Sequence, residues 1–500
     1  MSFVSLKFLL FAVIVLLAYY LVPGRFQWVV LLAASLYFYT TYGFALLFFL
    51  LTSTAVAYGA GLLISSTEDA EKKKAWMRGA VLLLVAILAG AKFSETLAKG
   101  LNAVFHGKPL FQALAVLGIS YYSFSLISYV VDVARGTDRC EKNYFRLLLF
   151  SSFFPKVIQG PISRHNFLGS QLSEKHPFRY GEFCEGAQQI LWGVFKKKVI
   201  ADRLALLTGV FFGNPGQYSG AILLIAGVFY CFQLYCDFSG CMDIAEGFSL
   251  CLGIRLEKNF HHPFFSKSGA EFWRRWHITL GSWMKDYIYM PVAISPKFLR
   301  CTKSIRQKFG KRAGKSFANI IPLLCVWFTV GIWHGVNSSC IVWGLYWGFL
   351  IIFATVFSPE LAKAKAFLRI DSDLPIWRFL NCLKTFVFFL FGEMITLTDS
   401  IGSSLALLKS SFSDFRLSTI QEALFVKNSF RGTSLLMSVL LIAGLMLFEG
   451  YEERNNDKVQ SIIAKQPAVL RWVLWYALIF AVIFLGIHDP GTERFLYAQF

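Results

Sequence analysis

Charged residues are scarce in this 500-residue sequence: Asp, Glu, Lys and Arg together make up 16%, against about 25% in an ordinary soluble domain. Acidic residues are the scarcer sign, 30 against 49 basic ones. Histidine occurs only eight times, and none of the ten cysteines forms a C-x-x-C pair. Cys231, Cys236 and Cys241 stand five apart, which does not put them on one helix face; they read as small packing residues, not as a metal or disulfide set. The motifs G-x-S-x-G, H-E-x-x-H and G-x-G-x-x-G are absent. Residues 310–316, GKRAGKS, resemble a phosphate loop but are one residue short between the glycines and follow no strand. What is abundant is apolar: 56% of the chain, with 52 phenylalanines. Soluble cores cannot hide so large an apolar excess. The composition excludes a disordered chain, a secreted disulfide scaffold and an ordinary cytosolic enzyme. It predicts an all-α polytopic membrane protein.

Crossing a hydrocarbon core takes about 20 apolar residues. Runs of that order lie at 4–22, 26–41, 43–64, 79–94, 110–131, 219–236, 317–333, 337–357, 379–396, 434–449 and 469–487. Weaker stretches lie at 143–158, 186–214 and 240–254, several broken by Gly, Pro or charge. Such breaks are tolerated at membrane depth only where protein or a water-filled cavity surrounds them. The expectation is ten to twelve spanning helices with re-entrant or interfacial pieces. The first run lacks an A-x-A cleavage site and leads straight into the second, so it reads as a retained helix. No internal repeat or soluble domain is visible, and residues 1–500 read as one integral-membrane unit.

A net charge of +19 fits either a nucleic-acid surface or cytoplasmic loops held by the positive-inside rule. The basic residues fall mostly in short gaps between apolar runs, which favours the membrane and excludes nucleic acid as a partner. Lys72–Lys74 with Arg78, Lys196–Lys198 with Arg203, and residues 258–316 with 13 Lys or Arg are therefore expected in cytoplasmic loops. Three helices before the first of these would put the N-terminus outside.

Three polar clusters interrupt the apolar sequence, and ionisable groups at membrane depth are functional candidates by default. Residues 154–164, FPKVIQGPISR, carry Gln159 and two prolines that must break a helix, which suggests a buried re-entrant turn or else a kinked connection between helices. Residues 233–246 carry Asp237, Asp243 and Glu246. Asp243 and Glu246 would share a helix face, and a structural role in pairing with arginines is favoured for these carboxylates over catalysis. Residues 271–287 begin EFWRRWH, and the run at 317–333 ends in GIWHG. His277 and His334 thus sit beside tryptophans at the edges of apolar segments. A neutral imidazole there can take a proton from an attacking hydroxyl; taken singly, each also fits a packing histidine.

At these residues the sequence resembles the membrane-bound O-acyltransferase family, and within it the bacterial branch of alginate and peptidoglycan O-acetyltransferases. The resemblance rests on EFWRRWHITLGSWMKDYIY at 271–289 and on GIWHG. It is joined by GISYYSFSLISYVVDVARG at 118–136, FFPKVIQGPISR at 153–164, YCDFSGCMDIAEGFSLCLGI at 235–254, EKNFHHPF at 257–264 and a Phe-rich end at 495–500. These motifs are collinear over about 110–350, the expected catalytic core. Cys236 and Cys241 stand where aromatic residues are common, and His261-His262 replace a more usual Asn-Tyr.

The resemblance implies helices around a central tunnel, in which an acyl group from the cytoplasm meets an acceptor from the other side. It places the essential family histidine on His334 and the second on His277, a partner that orients substrate or stabilises the developing oxyanion. The candidate substrate-binding set is Arg274, Arg275, Trp273, Trp276, Trp333 and Asn259, with Asp237, Asp243 and Gln159 as structural polar residues. The arginines would meet phosphates of a coenzyme A thioester, or else lipid headgroups. The family implies no bound cofactor and no metal, an acyl thioester such as acetyl-CoA as donor, a periplasmic acetyltransferase as partner, and a place in the bacterial inner membrane. Competing readings are D-alanyl transfer to teichoic acid from a carrier protein, and a transporter whose histidines line a proton path.

Overall fold

The computed structural model describes residues 1–94, 98, 118–213, 215–218, 220–371, 374–413, 415–416, 435–455 and 459–487. The motif at 495–500 and the first part of the run at 110–131 lie outside these residues. Among the described residues every regular element is helical, and the one β contact is an isolated antiparallel bridge between Phe260 and Trp276.

Eight of these helices are long and apolar enough to cross a bilayer: Leu46–Ser66, Ala70–Lys92, Gly220–Cys251, Pro296–His334, Ser338–Val356, Pro375–Thr396, Leu435–Asn455 and Ala468–Leu485. This is a multi-pass membrane protein. Ten to twelve such spans were expected. The runs at 4–22 and 26–41 form helices of 16 and 14 residues, Leu6–Leu21 and Gln27–Thr40, short of the length that a 1.5 Å rise per residue requires. Apolar side chains such as Leu17, Phe353 and Phe484 are exposed, as a surface solvated by lipid tails allows.

The chain packs as two compact units, one of Met1–Phe195 with Phe238–Lys258 and one of Lys196–Asp237 with Asn259–Ile487. In the first, glycines let two helices touch backbone to backbone. A Cβ at Gly193 would lie 2.6 Å from the Gly240 carbonyl oxygen, and one at Gly247 would lie 2.6 Å from that of Gly186. Both helices space their glycines seven residues apart, so one antiparallel seam carries both contacts. The break expected at 154–164 is present: helix Phe154–Val157 ends in a turn, and residues 153–163 are buried.

Three charged segments depart from the loops expected of them. Lys72–Lys74 and Arg78 lie within helix Ala70–Lys92, capped by the Asp69 side chain on the Glu71 and Lys72 amides. Much of 258–316 is helical too; Pro296–His334 continues through a kink at Gly310, where φ is +90°. Lys196–Lys198 are buried in a π-helical turn, Lys196–Ala201, of the second unit. Lys197 Nζ lies 2.6 Å from Asp237 and 2.8 Å from Asp202, and Lys198 Nζ lies 3.0 Å from Asp202. Burial opposes the Lys197 charge, but the two carboxylates outweigh it and hold its pKa above the usual lysine value. Two ammoniums matched to two carboxylates make burial tolerable.

Candidate active site

His277 sits at the junction of two short helices, Gly269–Arg275 and Ile278–Met284. Its backbone is left-handed, with φ +46° and ψ +52°, a conformation that costs a β-carbon residue about 1–3 kcal/mol and clusters at functional sites. Neighbouring backbone bonds hold it there: His261 N–H donates to the Arg275 carbonyl at 2.9 Å, and Ile278 N–H to the Asn259 carbonyl at 3.0 Å. The Asn259 side chain completes the clamp. Its Oδ1 accepts from the Thr279 amide at 3.1 Å and the Thr279 hydroxyl at 2.8 Å, and lies 3.2 Å from His277 Nδ1.

That network assigns the tautomer. An amide N–H can only donate, so the Asn259 atom facing Thr279 is the oxygen, and His277 Nδ1 must carry the proton. The neutral ring then has its lone pair on Nε2. Burial keeps it neutral, pushing the His277 pKa down to about 3.

His334 ends the long helix Pro296–His334, and Gly335 follows in extended backbone. The next helix, Ser338–Val356, starts at once under an Asn337 cap. Gly331 and Gly344 let the two helices approach, since a Cβ at Gly344 would meet the Trp327 carbonyl oxygen at 2.5 Å. The His334 ring packs edge-on against Trp343, centroids 4.7 Å apart, and against its neighbour Trp333 at 4.6 Å. Trp333 in turn lies 6.1 Å from the His277 ring. The two histidines flank one indole. His277 is buried and His334 half-buried.

The other expected residues divide. Trp273 joins Trp327, Trp343 and Trp347, with centroids 5.1–5.6 Å away. Trp276 packs against Phe260, Phe272 and Phe389 in the core of the second unit. Arg275 is paired with Glu271 at 2.7 Å and Glu453 at 2.8 Å, whereas Arg274 is exposed. Asp237 pairs with Lys197 at 2.6 Å. Gln159 and Asp243 lie in the first unit, where Gln159 is buried and Asp243 packs beside Gly193.

The membrane-bound O-acyltransferase family model matches residues 34–383. The chain belongs to this family. As an acyltransferase of that family it aligns over its whole length with the protein named probable alginate O-acetylase AlgI of Azotobacter vinelandii, at 31% identity and covering all of both chains. It is 29% identical to the peptidoglycan O-acetyltransferase of Helicobacter pylori over 76% of this chain and 72% of that one. The match to the teichoic acid D-alanyltransferase of Bacillus subtilis is partial, 28% identity over 51% of this chain and 63% of the other.

Trp343, Thr279 and Glu393, none of them among the residues expected at the site, also reach it. Trp343 donates its indole N–H to Glu393 at 3.2 Å. Glu393 had a signal: it is the single carboxylate in the run at 379–396. Thr279 lies inside the 271–289 motif, but its role depends on Asn259, 20 residues away.

Proposed function

We propose that this acyltransferase moves acetyl groups from a cytoplasmic thioester, such as acetyl-CoA, to O-acetylate a cell-envelope or extracellular polysaccharide. The observation that carries this reading is the pair of imidazoles on one indole, one neutral and clamped, the other at a helix end. His334 acts as general base: it takes the proton of the attacking hydroxyl as the oxygen bonds to the thioester carbonyl carbon. The C–S bond then breaks and His334 returns the proton to the departing sulfur. His277 presents an acceptor nitrogen and therefore orients a hydroxyl; its tautomer speaks against the oxyanion role, which needs a donor. Arg274, exposed where Arg275 is paired, suits the donor phosphates. No metal or bound cofactor enters this chemistry.

The full-length likeness to an alginate O-acetylase supports a polysaccharide as final acceptor. A tunnel through the bilayer, a site in the bacterial inner membrane and a periplasmic acetyltransferase that receives the group complete the proposal. The test uses inverted membrane vesicles holding the full chain and acetyl-CoA with a radiolabelled acetyl group. Alkali-labile label should enter polysaccharide, and His334→Ala should lower it about 10²- to 10⁴-fold at equal protein level. Undiminished label in that variant removes the base. Label from a D-alanyl carrier thioester and none from acetyl-CoA overturns the choice of donor.

A further inference from the structure

We infer that Glu393 is a positioning residue for the reaction: its carboxyl oxygen fixes the Trp343 indole, and that indole holds the His334 ring. The inference rests on the reading of His334 as the base. Glu393 is buried in the apolar helix Pro375–Thr396 and is the one carboxylate there. A carboxyl at such depth is costly, and an apolar side chain would pack more cheaply. Docking of the two helices does not require it. Tyr346, three residues after Trp343, already ties them by donating its hydroxyl to the Phe388 carbonyl at 2.8 Å, and Gly392 lets the Trp347 indole close in beside it.

What the carboxyl does is receive the Trp343 N–H at 3.2 Å. Trp343 is 3% exposed. Its ring meets His334 at 4.7 Å and 73°, with Trp273 at 5.6 Å and 86° and Trp327 at 6.4 Å and 69°. An indole's outer torsion is broad and roughly two-fold, so it has a second orientation to be discriminated against. One N–H bond to a fixed acceptor selects a single orientation. The edge presented to the imidazole is then the same in every molecule, and misplacing a base by about 1 Å costs about 100-fold in rate.

The experiment uses the vesicle assay above with the full chain. Glu393→Gln keeps an acceptor oxygen and should stay within about threefold of the parent, whereas Glu393→Met, similar in volume but with no oxygen, should lower kcat about 10- to 100-fold with KM for acetyl-CoA unchanged. Trp343→Phe should show the same loss, and the double variant Trp343→Phe/Glu393→Met no more than Trp343→Phe alone. Parental kcat in Glu393→Met, or losses that multiply in the double variant, would overturn the inference. If Glu393→Met does not accumulate in the membrane, Trp343→Phe and Glu393→Gln decide: parental kcat in the first, or a large loss in the second, is fatal. His334→Ala, run alongside, separates the two levels, since its retained activity refutes the base itself while parental Glu393→Met beside an inactive His334→Ala refutes only the positioning role.

Discussion

Asn259 and His277 are joined by a 3.2 Å contact between Oδ1 and Nδ1, on an oxygen that also receives both donors of Thr279. One side-chain atom therefore sets the histidine's tautomer and supports its left-handed backbone. Asn259→Leu removes the acceptor from three donors at once. The buried Thr279 amide alone should then cost about 1–3 kcal/mol, and acetyl transfer should fall by up to about 100-fold as the ring loses its placement. Asn259→Asp retains the oxygen and should recover most of both. Thermal unfolding in detergent and the transfer assay check the pair; equal damage by Leu and Asp would show that the amide nitrogen matters instead.

The His277 ring lies outside the eight apolar spans, and burial pushes its pKa down to about 3. The unfolded chain takes up a proton there near pH 6.5, so between those values the unfolded state binds more protons than the folded one. Stability must fall as pH drops through 6.5 and level off only below 3. From pH 7 to pH 5 this residue should remove about 2 kcal/mol. His277→Gln should flatten that slope, read as midpoint against pH. It should also leave any acid limb of the rate profile between pH 5 and 8 where it was, because His277 does not titrate in that window. A limb that moves with this substitution contradicts a buried neutral ring.

The all-helical membrane fold was legible in the sequence because apolar runs are local, and RRWH and GIWHG single out His277 and His334 because they are short local patterns too. What escaped was set by partners distant along the chain. Three consecutive lysines look like a loop to any hydropathy window; what buries Lys197 is Asp237, 40 residues on. Arg275 looked free for a phosphate until Glu453, 178 residues away, came to lie 2.8 Å from it. Trp276 and Trp273 have equal claims as letters. Packing separates them, one among phenylalanines and the other among tryptophans beside the site.

The Lys197–Asp237 contact gives a third prediction. Removing one partner upsets the charge balance of a buried cluster, although Asp202 stays 2.8 Å from Lys197, so Lys197→Met or Asp237→Leu should each destabilise the second unit by about 3–5 kcal/mol. The double variant exchanges the pair for apolar packing and should recover part of that loss, although Asp202 would still need Lys198 at 3.0 Å. Unfolding midpoints of the three variants form a double-mutant cycle. Additive losses would mean that the two residues do not interact.

The glycine seam of the first unit sets a steric limit that can be probed without touching any charge. A methyl group at Gly247 would stand 2.6 Å from the Gly186 carbonyl oxygen and 2.9 Å from the Ile190 side chain. Backbone cannot retreat as a side-chain tip does, so Gly247→Ala should destabilise by about 1–3 kcal/mol, despite alanine's better helix propensity. Gly209, in the second unit, has open space around its Cβ position. Gly209→Ala should therefore be neutral or mildly stabilising, the opposite sign for the same chemical change. Equal responses of the two variants in thermal unfolding would show that propensity, and not the close approach of the helices, governs both sites.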